Sequence, residues 1–168
     1  MRRECRNALD AGASSIDIFL SGEDGLDYFY LRDNGEGIPR ASLADSTKRY
    51  YTSKLGSYEE LLELTTYGFR GEALNSLCSV SARVIISTKT ELDEWPILAE
   101  FNTHGELIHS EELNDRNPKY RTHFVEGSTS GTEVRVEGLF KNFPVRLQQQ
   151  RAKLKKNIRS VGPGISSV

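Results

Sequence analysis

Cysteine is scarce in this 168-residue chain, which contains only Cys5 and Cys78 and no CxxC motif. Two cysteines do not make the disulfide framework of a small secreted domain. Long apolar runs are also absent: none approaches the roughly 20 residues that span a bilayer, and Met1 is followed by charged residues rather than by an apolar signal segment. We therefore expect a soluble intracellular domain with no membrane partner.

The chain has little net charge, −2, but its charges are unevenly distributed. Residues 141–159 carry seven basic side chains and no acidic one, whereas the first 140 residues carry 15 basic and 24 acidic side chains. Such a run is typical either of a solvated helix face or of a segment that follows a phosphate backbone. On the second interpretation, Lys153, Lys155 and Lys156 are candidate contacts for weak, sequence-independent binding of DNA.

Hydrophobic residues make up 37% of the chain, enough for one folded domain. Residues 2–12 have the pattern of a helix that ends at Gly12, and 14–32 that of a β-hairpin with Ile16, Ile18 and Leu20 on one half-buried face. The pattern predicts an α+β fold, a two-layer sandwich with a mixed, mainly antiparallel sheet and helices on one face. The remaining predicted elements are helices in 39–50, 57–64 and 72–79, strands in 80–90, 97–103, 105–111 and 131–140, and a helical tail from residue 145.

Three short segments carry candidate chemistry: ECRNALDAGA at 4–13, DNGEGI at 33–38 and YGFRGEAL at 67–74. Alone, DNGEGI is more typical of a hairpin turn than of a binding site, and the glycines beside Phe69–Arg70 could simply form a loop. Together they supply complementary parts of a nucleotide site. An asparagine oxygen can bind magnesium, an aspartate can accept from an adenine amino group, and glycines let backbone amides approach phosphates. A helix that begins near Glu72 would point its amide-rich end toward those phosphates.

In this order and spacing, the segments resemble the ATPase domain of the MutL mismatch-repair family. That family lies within the superfamily of gyrase, heat-shock chaperone, histidine kinase and MutL (GHKL) ATPases. The run LTTYGFRGEAL is most similar to the eukaryotic post-meiotic-segregation branch. Three further segments match in order: YYTSK at 50–54, GTEVRV at 131–136 and LFKNFPVR at 139–146.

The resemblance implies roles for individual residues. Asn7 would bind the Mg²⁺ that bridges the phosphates, and Asp33 would recognise the adenine of ATP. Gly37 would allow close approach of the base, and Thr132 would support Asp33 through its hydroxyl group. On the phosphate side, Thr52 and Lys54 would lie near the nucleotide, and a lid would be formed by Gly68, Phe69, Arg70 and Gly71.

The catalytic position departs from the family pattern. The family's general base is a glutamate four residues before the metal-binding asparagine, and that position is Arg3 here. Glu4 lies three residues before Asn7 and is turned by about 100° from position 3 on a helix. Arginine cannot act as a base. Glu4 is therefore the candidate catalytic residue, in a shifted register.

We interpret residues 1–145 as a GHKL-type ATP-binding domain with an incomplete first helix, and 146–168 as a basic tail leading toward a second domain. The resemblance implies a nuclear MutL-like protein in which ATP gates dimerisation with another MutL-type subunit and clamping on DNA. The alternative is a truncated nucleotide-binding pseudo-enzyme, or interaction module, without effective hydrolysis. A nucleic-acid-binding module that relies on the tail alone would leave DNGEGI and GFRGEAL unexplained.

Overall fold

The computed structural model of the protein describes residues 2–21, 26–48, 72–114 and 129–160. The helix predicted over 57–64 lies outside these ranges. Within them, no helix is long and apolar enough to cross a membrane. The helices are α1 (Arg2–Asp10), α2 (Arg40–Leu43), α3 (Glu72–Val80) and α4 (Pro144–Ser160).

In the described part of the chain, six strands form a single sheet, and every pairing between them is antiparallel. Their order across the sheet is β1-β2-β6-β3-β4-β5. The predicted α+β fold with a mainly antiparallel sheet is thereby confirmed. The strands are β1 (Ile16–Leu20), β2 (Tyr28–Asp33), β3 (Arg83–Lys89), β4 (Ile97–Phe101), β5 (Leu107–Glu112) and β6 (Gly131–Glu137).

The core lies between one face of the four central strands and the helices α2 and α3. Leu43 and Cys78 supply the helix side of the core and are almost completely buried. Removing such apolar surface from water is the main force that holds the layers together. The strand side consists of Phe29, Val84, Ile86, Ala99, Phe101, Val134 and Val136.

The predicted hairpin is confirmed, but the burial predicted for its first strand is wrong. β1 pairs with β2, and Ile18 and Leu20 are 45% and 51% exposed. β1 is the last strand at its edge of the described sheet, whereas the helix layer packs over the central strands. The alternation of apolar residues therefore marks a strand correctly without marking a buried face.

The helix predicted in 39–50 is reduced to the four residues of α2. After Leu43 the backbone follows three-residue hydrogen bonds, from Ser46 N to the Leu43 carbonyl and from Lys48 N to the Asp45 carbonyl. The Ser46 hydroxyl also donates to the Leu43 carbonyl, at 2.7 Å. Serine side chains that bond to nearby carbonyls in this way compete with α-helical pairing.

Candidate nucleotide-binding site

Three polar residues lie side by side at one end of the central strands. Asp33 on β2 pairs with Thr132 on β6, and Thr132 pairs with Thr88 on β3. Their positions share the sheet face of the core residues Leu31, Val134 and Ile86, because alternate residues of a strand point to the same side. Asp33, Thr132 and Thr88 are 5%, 8% and 0% exposed. Buried polar groups need hydrogen-bond partners, and these three obtain theirs largely from one another and from nearby backbone.

The Asp33 carboxylate is held as a hydrogen-bond acceptor. Its Oδ1 accepts from the Gly35 N–H at 2.9 Å, and the backbone of Thr132 also donates to the carboxylate. Burial raises the pKa of Asp33 above its ordinary value, and the two backbone hydrogen bonds oppose that rise. A carboxylate has about four lone-pair positions. Two backbone donors therefore leave capacity for a donor from a ligand.

The DNGEGI segment packs against the end of α1 and the beginning of β6. The Glu36 N–H donates to the Ala11 carbonyl at 2.9 Å, and the Ser130 hydroxyl donates to the Gly35 carbonyl at 2.8 Å. A Cβ at Gly35 would lie 2.7 Å from the Ala11 carbonyl oxygen. This segment therefore needs a residue without a side chain at position 35 to approach α1.

Gly37 is required by the backbone. Its φ is +78°, and a Cβ there would lie only 2.2 Å from the carbonyl oxygen of Lys89 at the end of β3. Side chains rarely adopt such a φ, and no Cβ fits at that distance. Gly37 thus lets the segment fold down over the ends of β3 and β6, next to the row of polar residues.

Asn34 has a role in local structure rather than in a hairpin turn. Its Oδ1 accepts from the backbone N–H groups of Ser14 and Ser15 at 2.9 and 2.8 Å, and its Nδ2 donates to the Ser14 hydroxyl. These bonds join the end of β2 to the residues before β1. The open question of whether DNGEGI is a hairpin turn is therefore answered: the segment connects β2 to α2.

Asn7 lies on α1, one helical turn before Ala11. The Ala11 N–H donates to the Asn7 carbonyl at 3.0 Å, and Ala11 in turn binds the DNGEGI segment. Asn7 and Asp33 are thus brought to the same region. Within the described ranges the half-buried Asn7 side chain makes no hydrogen bond of its own. A free amide oxygen fits Mg²⁺, which binds few protein oxygens and takes its other ligands from water and phosphates.

Glu4 also lies on α1 and is only 5% exposed. Glu4 takes part in at least one interaction within the molecule. Arg3 belongs to the same helix, but its side chain is outside the description. The structure therefore gives the burial of Glu4 but no side-chain position for Arg3. The catalytic role of Glu4 stays a prediction.

The predicted phosphate-side residues lie outside the described residues; they are Thr52, Lys54, Gly68, Phe69, Arg70 and Gly71. The helix that follows them begins at Glu72, as predicted. Of the three lysines in the basic tail, Lys153 is exposed, and Lys155 and Lys156 belong to α4 with side chains outside the description.

Comparison with known proteins identifies the protein family to which the chain belongs. Residues 4–132 match the family of histidine kinase-, DNA gyrase B- and HSP90-like ATPases. The chain belongs to this ATPase family. The matched segment contains Asn7, Asp33, Gly37 and Thr132, together with strands β1 to β5 and the first two residues of β6.

Among individual proteins, the human PMS1 protein homolog 1 is 44% identical over 142 residues, which cover 84% of this chain and 14% of that protein. A crystal structure of the N-terminal domain of a DNA repair protein superposes with a TM-score of 0.69 at 27% identity, covering 92% of this chain and 39% of that one. The Aquifex aeolicus MutL ATPase domain complexed with ADP has the same fold, with a TM-score of 0.55 at 21% identity, covering 94% of this chain and 51% of that one. The predicted resemblance to MutL-type mismatch-repair proteins is confirmed, and the chain spans a small part of its curated relatives.

Sequence reasoning did not identify Thr88 or Ser130. Thr88 sits in the run VIISTK, in which five consecutive residues of β3 are buried. A hydroxyl in a strand buried on both faces must find a partner. That requirement is the signal in the sequence that points to Thr88.

Proposed function

We propose that the chain is the ATP-binding part of a MutL-like DNA mismatch-repair protein and a weak, Mg²⁺-dependent ATPase. The observation that carries this proposal is the row of Asp33 and Thr132, buried beside a helix whose Asn7 side chain makes no hydrogen bond within the described part of the chain. Membership of the ATPase family supports it.

Asp33 recognises adenine by accepting a hydrogen bond from its exocyclic amino group. The Gly35 and Thr132 backbone groups orient the carboxylate before the nucleotide arrives. Preorganisation of this kind lowers the ordering cost of binding. Gly37 places the backbone of the DNGEGI segment against the end of β3, where a side chain would not fit.

Asn7 would hold Mg²⁺ through its side-chain oxygen, and the ion would neutralise the charge of the triphosphate. The residues Thr52, Lys54, Gly68, Phe69, Arg70 and Gly71 remain the proposed contacts on the phosphate side, by their match to the family motifs.

Hydrolysis requires a base within hydrogen-bond reach of the attacking water. Arg3 occupies the position of the family's base, and Glu4, the nearest carboxylate in the sequence, is displaced by one position along the helix and buried. We therefore propose slow hydrolysis. The same observation favours the second candidate function, a nucleotide-binding pseudo-enzyme that acts through its partner.

For the longer protein we propose nuclear localisation, a second MutL-type subunit as partner and DNA as a weakly bound ligand. The matches to eukaryotic proteins named for DNA mismatch repair support the nuclear and DNA proposals, and the presence of both PMS1 and MLH1 among the relatives supports a second MutL-type subunit. The beginning of α4 at Pro144 supports a boundary near residue 145 between the ATP-binding domain and the basic tail.

Calorimetry with Mg-ATP tests the nucleotide site. Asp33→Ala leaves an adenine donor unpaired, at a cost of about 1–3 kcal/mol, and we expect affinity to fall by roughly one to two orders of magnitude. Asp17→Ala is the matched control, since Asp17 lies on the neighbouring strand and is partly exposed in an ion pair with Arg32. Equal affinity of Asp33→Ala and the parent chain would remove Asp33 from the site.

A further inference from the structure

Thr88 lies next to Thr132 on the neighbouring strand; it belongs to none of the segments that match the family motifs, but it contacts two of them. Its Oγ1 accepts from the Ile38 N–H at 2.7 Å. The same Oγ1 lies 3.1 Å from the Gly131 carbonyl oxygen and 3.1 Å from the Thr132 Oγ1. A threonine hydroxyl has one hydrogen and two lone pairs. Three neighbours therefore use its whole hydrogen-bonding capacity.

The neighbours of Thr88 decide the direction of these bonds. The Ile38 N–H can only donate, and the Gly131 carbonyl can only accept. If Thr88 donates to Gly131, its second lone pair accepts from the Thr132 hydroxyl, and every group in this buried network has a partner. The Thr132 oxygen then faces the site with its lone pairs free and its hydrogen engaged.

We infer that Thr88 is a positioning residue for base recognition, which makes Thr132 a hydrogen-bond acceptor toward the bound base. This inference rests on the proposed nucleotide site. With Asp33 beside it, Thr132 completes a pair of acceptors, and a 6-amino purine supplies donors to such a pair. A 6-oxo purine presents a carbonyl oxygen there and is rejected, because acceptor would face acceptor. Thr88 thus determines the preference for adenine over hypoxanthine.

The experiment measures the affinities for ATP and ITP by calorimetry, in the parent chain and in Thr88→Val. Valine keeps the shape of threonine and removes the hydroxyl, so the hydrogen of Thr132 becomes free to donate. We expect the ratio of ATP to ITP affinity to fall about fivefold, the effect of one neutral hydrogen bond. Thr88→Ser, which restores the hydroxyl, should recover the parental ratio.

Thr47→Val is the matched control. Thr47 is also completely buried, but its hydroxyl donates to the carbonyl of Gly105, between β4 and β5, at 2.6 Å rather than to the network of Thr88 and Thr132. A merely structural loss in either variant weakens both nucleotides equally and leaves the ratio unchanged. The double variant Thr88→Val, Thr132→Val should have the same ratio as Thr132→Val alone, because Thr88 acts through Thr132.

A parental ratio in Thr88→Val would overturn the inference while leaving the nucleotide site in place, provided that Asp33→Ala still weakens ATP binding. Unchanged binding in Asp33→Ala would instead overturn the proposed function. If Thr88→Val does not fold, Thr88→Cys takes its place, since its thiol is a weak donor and acceptor of similar volume. An intermediate ratio is then expected, and a parental ratio again contradicts the inference.

Discussion

Asp33 places a charge where the surrounding protein disfavours one. Burial raises its pKa, so the folded chain binds this proton more tightly than the unfolded chain does. The stability of the fold therefore falls as the pH rises from the ordinary aspartate value through the raised pKa, and it is flat above that range. A carboxylate whose charge lowers the stability of the fold is typical of a functional site.

Asp33→Asn separates the effect of the Asp33 charge on stability from its proposed effect on ATP binding. The amide oxygen keeps an acceptor for the Gly35 N–H but carries no charge, so we expect the nucleotide-free variant to be at least as stable as the parent at pH 7. Its stability advantage should shrink as the pH is lowered through the raised pKa of Asp33. Urea denaturation at several pH values measures this difference, and calorimetry should show weaker ATP binding. A variant that is less stable at pH 7 and binds ATP normally would contradict the prediction.

Gly37 and Gly12 offer a matched pair of substitutions at the residue scale. Both have positive φ, +78° and +72°, but a Cβ at Gly37 meets the Lys89 carbonyl at 2.2 Å, whereas a Cβ at Gly12 meets nothing within 4 Å. Gly12→Ala therefore carries only backbone strain, about 1 kcal/mol. Gly37→Ala adds a clash with backbone that must shift, and we expect it to lower the free energy of unfolding by roughly 1–2 kcal/mol more.

Urea denaturation of the two alanine variants gives the comparison directly. We also expect Gly37→Ala to weaken ATP binding, because the DNGEGI segment must lift from β3, and Gly12→Ala to leave it unchanged. Equal losses of stability in the two variants would show that the contact with Lys89 does not hold this segment in place.

At the scale of elements, the sequence predicted the positions of the strands better than their burial and their neighbours in the sheet. The alternation in 14–32 and the apolar runs after residue 79 identified all six strands of the described residues, because the tendency to form a strand depends on residues that are close in sequence. The exposure of Ile18 on β1 depends on which strand lies at the sheet edge, and sequence periodicity carries no such information. Asp33 and Thr132 were predicted from their motifs, but the pairing of Thr132 with Thr88 joins residues 44 positions apart in sequence.

The geometry of α1 leads to a prediction about catalysis, because neighbouring residues of a helix point in different directions. Residues 3 and 4 differ by about 100° around the helix, and Glu4 is buried with partners of its own. We expect Arg3→Glu to raise the ATPase rate by restoring a carboxylate at the family's position. Glu4→Gln, which keeps the shape but removes the base, should change the rate by less than about twofold.

Steady-state phosphate release, normalised to the ATP-binding fraction of each preparation, measures both variants. Loss of most of the activity in Glu4→Gln would show that Glu4 is the base and that the register argument is wrong. A rate that Arg3→Glu leaves unchanged would favour the pseudo-enzyme interpretation instead.

The whole molecule combines a net charge of −2 with a strongly basic terminal helix. α4 extends over Pro144–Ser160, and Gln148, Gln149, Arg151 and Lys153 along it are exposed. An acidic body repels DNA, so contact with a duplex is expected to depend on this helix and to be sensitive to salt. The release of counterions from the phosphates, rather than recognition of bases, is then expected to provide the affinity for DNA.

Replacement of Lys153, Lys155 and Lys156 by alanine tests the role of α4. Each lost phosphate contact lowers the slope of log affinity against log salt by about 0.9, so loss of three contacts should reduce the slope by roughly three and weaken binding about equally for unrelated duplex sequences. The control on the same helix is the alanine triple at Gln148, Gln149 and Gln150, which shortens three side chains without changing charge. Fluorescence anisotropy from 50 to 200 mM salt gives both slopes. The two variants differ in whether charge is removed from α4. The duplex therefore contacts a different surface if the lysine triple keeps the parental slope, or if the glutamine triple lowers the slope equally.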